Sequence, residues 1–389
     1  MQKYISADWV FPVSSSPIRN GIIGVSADGS ITAVLTPEQA AHLSITADHF
    51  YSGALIPGLI NTHCHLELSH MRAQIEQKTG LPNFIKSILA NRQQNEAEII
   101  EAMQLADEEM YNNGIVAVGD ISNLLLSKSV KLDSKIYYHT FVEVFGFNGP
   151  AQASIQAGVR LKEDFLPLRS SVVPHAPYSV SSDLFEAINE VTTPNDILSI
   201  HNQETEGENN LFETGTGKFA DFFAELGIAQ SDQHGTNRKS IAYHLPKLPK
   251  NNNVLLVHNT MCDEEDLRFA HATHPHLYWC LCPNANLYIE DTLPQVSLFE
   301  KAEATITLGT DSLASNHKLS VLSEMKTLQD HQNIPFKRSL NWATLNGAIF
   351  LKKEDELGSL EIGKKPGILW VNLKDDLKIT EHTTIKRLY

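Results

Sequence analysis

The sequence predicts an α/β protein: a (β/α)8 barrel of the TIM type with a small β-sandwich domain built from both chain ends. The first observation is that eight apolar runs rich in β-branched residues occur in the centre of the chain. Stretches with helical periodicity, such as Glu96–Asn112 and Asp183–Val191, separate most of these runs. The second observation is length, because 389 residues, 42% of them apolar, exceed the roughly 250 residues of a simple barrel. The excess predicts a second unit.

The two chain ends both read as short strands separated by turns. We expect residues 1–53 and 357–389 to form one composite β-sandwich and residues 54–356 to form the barrel. Asp28-Gly29 predicts a hairpin within the first segment. The short strands predicted at the N-terminal end are Tyr4–Ile5, Trp9–Val13, Gly21–Val25 and Ile31–Leu35.

The barrel strands predicted in the centre carry ligand-capable side chains at their ends. The eight runs are Leu55–His65, Ile115–Ile121, Ile136–Phe145, Val172–His175, Ile197–His201, Val254–His258, Leu277–Cys282 and Ile306–Asp311. Five of them end in a histidine or an aspartate. Since the active site of such a barrel lies at the carboxyl ends of its strands, these side chains are expected to meet there. The polar stretch Ser231–Asn253 is predicted to be a loop with a short helix.

Two histidines one residue apart, His63 and His65, give the strongest indication of chemistry. Residues i and i+2 of a strand point to the same face, so both imidazoles project into one space and supply half of a divalent metal site. The alternative is a chance pair among the 17 histidines of the chain. His201 and Asp311 complete a predicted set of three imidazoles and one carboxylate. A water molecule bound by such a site ionises near neutral pH, and Asp311 is the predicted general base.

Two further residues are predicted to take part in catalysis. Glu204 follows His201 by three residues and is placed to protonate a substrate atom, and His258 is placed to orient water or to stabilise an oxyanion. Each residue has a plainer alternative. His258 and His175 could be hydrogen-bonded core histidines, Glu204 an acid at a helix N-terminus, and Asp311 a turn or N-cap residue.

Composition excludes several classes of function. The net charge is −15, with no basic stripe, so we expect no nucleic-acid partner. The four cysteines (Cys64, Cys262, Cys280 and Cys282) contain no paired CxxC spacing that would predict a zinc knuckle. No run approaches the roughly 18 apolar residues of a membrane span, and the N-terminus lacks a signal-peptide pattern. We therefore expect a cytoplasmic protein with a small-molecule substrate, no membrane association and homodimerisation as one assembly option.

Six segments in order resemble motifs of the amidohydrolase superfamily, in its branch of aminohydrolases and chlorohydrolases. They are Pro57–His65, Pro174–Ser181, His201–Thr205, Val257–Thr260, Cys282–Asn286 and Leu308–Asn316. The resemblance implies metal ligands at His63, His65, His201 and Asp311. It also implies proton transfer by Glu204 and a catalytic role for His258. The segment Gly358–Lys364 resembles the closing signature of the family's small β-sandwich.

The same resemblance implies one divalent metal ion, usually zinc and sometimes iron. His175 stands where binuclear members carry a bridging lysine, and in similar deaminases this histidine contacts the substrate. His65–His70 is similar to the pattern of aminofutalosine deaminases, which would make Glu67 a ligand of ribose hydroxyls. The alternative is that Glu67 forms an ion pair at the mouth of the barrel. Specificity is expected in the loops Glu67–Ile88 and Phe145–Ala151.

The predicted function is hydrolytic deamination of an aminated heteroaromatic ring, with release of ammonia. An adenine-type nucleoside is the expected substrate, of the aminodeoxyfutalosine, methylthioadenosine or S-adenosylhomocysteine class. The alternatives are a chlorohydrolase or guanine-deaminase reaction at the same site, and a non-catalytic barrel scaffold. The aromatic candidates for stacking on the purine, each of which could equally be ordinary packing, are Phe84, Phe145, Phe147 and Tyr178.

Overall fold

A computed structural model describes residues 2–147 and 149–389. Over these ranges the chain forms fifteen strands and fifteen α-helices. The strands are β1 (Lys3–Val10), β2 (Ile18–Arg19), β3 (Ile22–Val25), β4 (Ile31–Leu35), β5 (His49–Pro57), β6 (Leu59–Cys64), β7 (Ile115–Ser122), β8 (Tyr137–Val144), β9 (Arg169–Pro174), β10 (Leu198–Asn202), β11 (Val254–His258), β12 (Leu277–Leu281), β13 (Ile306–Leu308), β14 (Ile368–Val371) and β15 (Ile385–Arg387). The α-helices are α1 (Pro37–His42), α2 (Leu81–Asn91), α3 (Glu96–Asn112), α4 (Ser127–Asp133), α5 (Ala151–Asp164), α6 (Ser182–Val191), α7 (Glu206–Thr214), α8 (Lys218–Glu225), α9 (Ser240–His244), α10 (Glu264–Thr273), α11 (Pro283–Glu290), α12 (Val296–Lys301), α13 (Val321–Gln332), α14 (Phe336–Trp342) and α15 (Leu345–Phe350). Short 3₁₀ helices cover Leu66–Met71, Pro177–Ser179 and Leu245–Lys247.

The eight central strands run parallel in two four-stranded sheets. Strands β6 to β9 form one sheet and β10 to β13 the other, each in chain order. Every residue of β6, β10 and β11 is buried, which is the pattern of parallel strands covered on both faces. The predicted α/β class with parallel strands and intervening helices is thus confirmed.

The two parallel sheets approach each other at both edges. At one edge the backbone N–H of His201 in β10 donates to the carbonyl oxygen of His175, directly after β9, at 3.0 Å. At the other edge Cys64 of β6 forms an isolated parallel bridge with Asp311. The eighth strand ends at Leu308 rather than at Asp311 as predicted. Asp311 has a φ of +56°, in the left-handed region that a strand does not use.

The prediction of a single strand over Leu55–His65 is wrong. Residues up to Pro57 pair with β1 and β14, and the parallel sheet starts only at Leu59. The chain passes between the two sheets at Gly58. A Cβ atom there would lie 2.2 Å from Val116 Cγ1 and 2.6 Å from the carbonyl oxygen of Pro366, so only glycine fits. His63 therefore lies inside β6, and His65 follows the strand.

Both chain ends contribute to one seven-stranded sheet, in the order β15-β14-β5-β1-β3-β4, with β2 paired to β1. The predicted hairpin is confirmed, because β3 and β4 pair antiparallel and Gly29 between them has a φ of +84°. The prediction of separate strands at Tyr4–Ile5 and Trp9–Val13 is wrong, since Lys3–Val10 is continuous and pairs with β3 and β5. The sandwich architecture and the domain boundaries stay predictions.

Helix α3 shows how local sequence sets an element. It spans Glu96–Asn112 as predicted, and the side chain of Asn95 caps it by accepting the backbone N–H of Ala97. Its buried positions, spaced by three or four residues, form one face: Ile99, Met103, Ala106 and Met110. The stretch Ser231–Asn253 contains a short helix, α9, as predicted. Across the residues described here, none of the helices combines the length and apolar character needed to cross a membrane.

Candidate active site

Four of the predicted residues converge at the carboxyl ends of the parallel strands. His63 Nε2 lies 3.2 Å from His65 Nε2 and 3.5 Å from Asp311 Oδ1. His65 Nε2 lies 3.4 Å from the same carboxylate oxygen. The ring of His201 lies 5.0 Å from that of His63 and 5.5 Å from that of His65, measured between centroids. We call these four residues the histidine–aspartate cluster.

The cluster suits a divalent cation. Ligand atoms of His63, His65 and His201 lie within 4.8 Å of one another, and those of His63, His258 and Asp311 do so as well. Burial holds the pKa of His65 well below its ordinary value and that of His201 at about 4, so both imidazoles have nitrogen lone pairs available. Buried imidazole nitrogens beside one carboxylate are donors that zinc and iron accept.

The charge on Asp311 also fits a metal ligand. Burial alone would favour its neutral form, but contact with His63 and the nearby His65 and His258 hold its pKa well below the usual range. For His63, burial favours the neutral ring, whereas Asp311 raises its pKa above the ordinary value. A proton or a cation can satisfy this pair of groups. Within the described residues, His63 Nδ1 is buried without a hydrogen-bond partner.

Neighbouring groups orient the members of the cluster. His201 Nδ1 donates to the backbone oxygen of His175 at 2.8 Å. This bond orients the ring and leaves Nε2 as the nitrogen with a lone pair for a metal. Ser315 Oγ donates to Asp311 Oδ2 at 2.6 Å. The backbone of His258 has a φ of +73°. Like Asp311, it therefore lies in the left-handed region that residues other than glycine rarely adopt. Such backbone conformations concentrate at functional sites, where the surrounding structure maintains them.

Glu204 and His258 lie together beside the cluster. Glu204 Oε1 is 3.7 Å from His258 Nε2, and both side chains are buried. The rings of His258 and His201 are stacked, with centroids 5.5 Å apart. Burial, reinforced by the charge of Asp311, raises the pKa of Glu204 well above its usual value. Both effects favour the neutral, protonated form of Glu204, which is the form that a general acid uses.

His175 lies one residue beyond β9 and faces the same cavity. Its Nδ1 lies 2.6 Å from Ser179 Oγ, which fixes the ring, and burial lowers its pKa to about 4. Phe145 is partly exposed beside it, with ring centroids 6.0 Å apart. On its other side is Tyr178, whose ring centroid lies 5.7 Å away. These contacts leave the expected substrate role of His175 a prediction.

Glu67 is already bound to the backbone of the loop that follows β7. Its Oε2 accepts the N–H of Asn123 at 3.0 Å and its Oε1 that of Leu124 at 2.9 Å. Burial raises its pKa to about 7. Glu67 therefore fastens the loop that follows β7. Its predicted role in binding ribose stays a prediction.

Three members of the cluster, His65, His201 and Asp311, line a cavity of about 240 Å³. The predicted stacking residues Phe84, Phe145, Phe147 and Tyr178 all line it. Tyr178 also packs on Phe219, with ring centroids 4.5 Å apart, so packing already accounts for part of its burial. The mouth is lined by Arg92 and by apolar side chains of α2 and α8 and of the residues around them: Leu81, Ile85, Ile88, Leu89, Phe222 and Leu226. Of the predicted loop Phe145–Ala151, Asn148 lies outside the described residues.

Sequence reasoning missed several polar residues of the site. Glu143 in β8 lines the cavity and is buried. Asp120 in β7 pairs with Lys131 of α4, Oδ2 to Nζ at 2.7 Å, and its Oδ1 accepts the N–H of Leu66, the residue after His65. The available signal was an acidic residue inside an otherwise apolar run, as in Phe141-Val-Glu143-Val-Phe and Val118-Gly-Asp120-Ile.

Known deaminases resemble this chain in sequence. An adenosine deaminase of Helicobacter pylori is 24% identical over 330 residues, covering 82% of this chain and 79% of its own. A 5-methylthioadenosine/S-adenosylhomocysteine deaminase of Bacillus cereus is 26% identical over 370 residues, covering 89% and 79%.

Two solved structures share the fold. The aminofutalosine deaminase of Helicobacter pylori in complex with methylthio-coformycin superposes with a TM-score of 0.83 at 22% identity over all of both chains. The zinc complex of an atrazine chlorohydrolase from Arthrobacter aurescens gives 0.70 at 19% identity, over 97% of this chain and 89% of the other. The sequence profile of the amidohydrolase family matches residues 54–386, so the chain belongs to the amidohydrolase family of hydrolases.

Proposed function

We propose that the chain is a metal-dependent deaminase that hydrolyses the exocyclic amino group of an adenine-type nucleoside and releases ammonia. The observation that carries this proposal is the buried carboxyl group of Glu204, which lies 3.7 Å from His258 Nε2 and next to the histidine–aspartate cluster; burial raises its pKa, which favours the protonated form. A hydrolysis that must protonate a ring nitrogen needs such an acid. The curated relatives that resemble this chain are deaminases of adenine nucleosides, which supports the same reaction.

We also propose that the eight parallel strands close into a (β/α)8 barrel, with residues 54–356 as the barrel and the chain ends as a separate β-sandwich domain. Support comes from the contacts at both sheet edges, His201 to His175 and Cys64 to Asp311. Closure would place all the cluster residues around one opening. Cytoplasmic location and a homodimer are part of the same expectation.

One divalent metal ion would be held by His63, His65, His201 and Asp311. When bound, it supplies Lewis-acid chemistry by lowering the pKa of water in contact with it, so that water can attack near neutral pH. Zinc is the proposed ion, because a zinc complex of this fold is known and the donor set of three imidazoles and a carboxylate suits it. Iron would fit the same donors, and elemental analysis distinguishes the two.

The side chains divide the proton transfers between them. Asp311, ionised, accepts a proton from the attacking water, while Glu204 donates its proton to a ring nitrogen of the substrate. The water oxygen bonds to the carbon that carries the amino group. Asp311 then passes its proton to the amine, the C–N bond breaks and ammonia leaves. The remaining hydroxyl proton restores Glu204, and His258 between the two acids orients the water.

The cavity mouth indicates which adenine nucleosides fit. Leucine, isoleucine and phenylalanine side chains of α2 and α8 surround it, and Leu89 and Leu226 there are half exposed. Burying such surface against a substrate is favourable only for an apolar group, at about 25 cal/mol per Å². We propose that the sugar carries an apolar substituent, as methylthioadenosine does, and that plain adenosine reacts more slowly.

The direct test is ammonia release by zinc-loaded protein from adenosine, methylthioadenosine, S-adenosylhomocysteine, aminodeoxyfutalosine and guanine, with chloride release from a chlorotriazine measured in parallel. Fast ammonia release from one adenine nucleoside would support the proposal. Chloride without ammonia would assign the chlorohydrolase reaction instead. Neither product, with zinc bound, would leave a non-catalytic scaffold.

A further inference from the structure

Glu143 is a buried acid in the cavity wall with one unsatisfied oxygen. It lies in β8, and only 7% of the residue is exposed. Within the described residues its Oε1 has no hydrogen-bond partner. An unpaired buried carboxyl oxygen carries a desolvation cost that proteins seldom leave uncompensated. A donor from outside the chain is therefore expected at this atom.

The protein groups around Glu143 do not supply that donor. His201 Nδ1 lies 3.5 Å from Oε1, but its proton is donated to the backbone oxygen of His175 at 2.8 Å. Asn123 Nδ2 approaches the other oxygen, Oε2, at 3.4 Å and is shared with the backbone oxygen of Glu143 at 3.2 Å. In the described part of the chain no lysine or arginine pairs with Glu143, since Lys131 is paired with Asp120.

Glu67 differs from Glu143 although both line the same wall. The two oxygens of Glu67 each accept a backbone N–H at 2.9–3.0 Å. Replacing those bonds with bonds to a substrate would release the loop after β7. Of the two acids, Glu143 has the oxygen that is free to bind a substrate.

We propose that Glu143 Oε1 accepts hydrogen bonds from the ribose hydroxyl groups of the nucleoside; the inference rests on the proposed function. Glu204 and His258 follow or end β10 and β11, whereas Glu143 belongs to β8, on the other side of His175. In the proposed binding mode the amino group of the nucleoside faces Glu204 and the sugar lies toward the β8 side of the cavity. Hydroxyl groups are donors that need no charge, which suits an acid without a cationic partner.

A second cation is the rival occupant of this position. Ligand atoms of Glu143, His175 and His201 lie within 4.8 Å of one another. The hydrogen bond from His201 Nδ1 to a carbonyl oxygen argues against it, because that nitrogen must keep its proton and has no lone pair for a metal. Metal content therefore belongs in the test.

The experiment compares wild type with Glu143→Ala, Glu143→Gln and the matched variant Glu67→Gln. For each zinc-loaded protein, kcat and KM are measured with the fastest ribonucleoside and its 2′-deoxy and 3′-deoxy analogues, and metal per chain is determined. Wild type should prefer the ribonucleoside in kcat/KM by about tenfold to a hundredfold, the range for a hydrogen bond to a charged group. In Glu143→Ala, kcat/KM for the ribonucleoside should fall to the value for the deoxy analogues. Glu143→Gln should retain part of the preference for the ribonucleoside. Glu67→Gln should lower kcat/KM by the same factor for all three substrates.

Each other outcome overturns the inference. If both Glu143 variants lower kcat/KM equally for ribonucleosides and deoxynucleosides, Glu143 acts through His201 and not on the sugar. Two metal ions per chain in wild type and one in Glu143→Ala would assign the position to a cation. If wild type releases ammonia from none of the nucleosides, the proposed function itself fails, and the assignment of Glu143 fails with it.

Discussion

Replacing Lys131 with methionine tests the buried ion pair next to the cluster. Lys131 Nζ contacts Asp120 Oδ2 at 2.7 Å, and both side chains are fully buried. The same ammonium donates to Ser122 Oγ at 2.9 Å and to Thr140 Oγ1 at 3.0 Å. Lys131→Met leaves the carboxylate of Asp120 buried with no opposite charge. We expect the free energy of unfolding to fall by about 3–5 kcal/mol.

The measurement is equilibrium urea denaturation followed by tryptophan fluorescence, with the same slope fitted to all variants. Lys301→Met is the matched control, because Lys301 pairs with Glu264 at 3.1 Å where both side chains are mostly exposed. Its loss should stay below about 1 kcal/mol. The double variant Lys131→Met/Asp120→Asn removes both charges, keeps an acceptor for the Leu66 N–H, and should recover most of the lost stability. A Lys131→Met loss no larger than that of Lys301→Met would refute the reasoning.

Three further predictions concern the site. Glu204→Gln keeps the shape of the side chain but not its proton; ammonia release should fall at least about a hundredfold with zinc content unchanged, and full activity would exclude Glu204 as the acid. Dialysis against a chelator should abolish ammonia release and lower the thermal midpoint, because a bound ion stabilises only the folded chain, and added zinc should restore both; an active metal-free protein would contradict the metal site. Gly309→Ala places a Cβ 2.8 Å from both Cys280 Sγ and His63 Cβ, so we expect a loss of about 1–3 kcal/mol and weaker zinc affinity in competition with a chromophoric chelator, whereas unchanged affinity would show that His63 is not displaced.

The ends of the parallel strands were predictable because they are local in sequence. His63, His201 and His258 each lie at or near the end of an apolar run, and parallel strands in chain order bring such ends together. Proximity of His65 to His63 follows from their spacing alone. The structure brings the predicted residues together, whereas the contact of Asp120 with the Leu66 N–H beside them was not predicted.

The sequence does not show which of the two sheets each part of a long apolar run joins. Leu55 and Leu59 belong to one continuous apolar run, yet they lie in different sheets, since both sheets bury the same kind of side chain. Gly58 marks the change, but an isolated glycine in a strand pattern has several meanings. Glu143 and Asp120 were missed for a related reason. Period-2 alternation shows which residues of a strand share a face. It does not show whether that face borders the cavity, as at Glu143, or packs against a lysine from a helix, as at Asp120.

The pKa values of Asp311, in the histidine–aspartate cluster, and of Glu204, beside it, are shifted in opposite directions, which fits the different roles proposed for the two acids. Asp311 and Glu204 are both buried, and burial favours the neutral form of each. Asp311 is surrounded by imidazoles whose contacts outweigh that effect, so its pKa is held well below the usual range and it stays ionised. Among the described residues, His258 is the only basic side chain within 4 Å of the Glu204 carboxyl, and burial keeps its ring neutral; the negative charge of Asp311 raises the pKa of Glu204 further. These opposite shifts support the proposal that Asp311 accepts a proton and Glu204 donates one at the same pH. A cation bound to Asp311 would lower the pKa of Asp311 further and would weaken the repulsion that raises the pKa of Glu204, so burial would remain as the main cause of the raised pKa of Glu204.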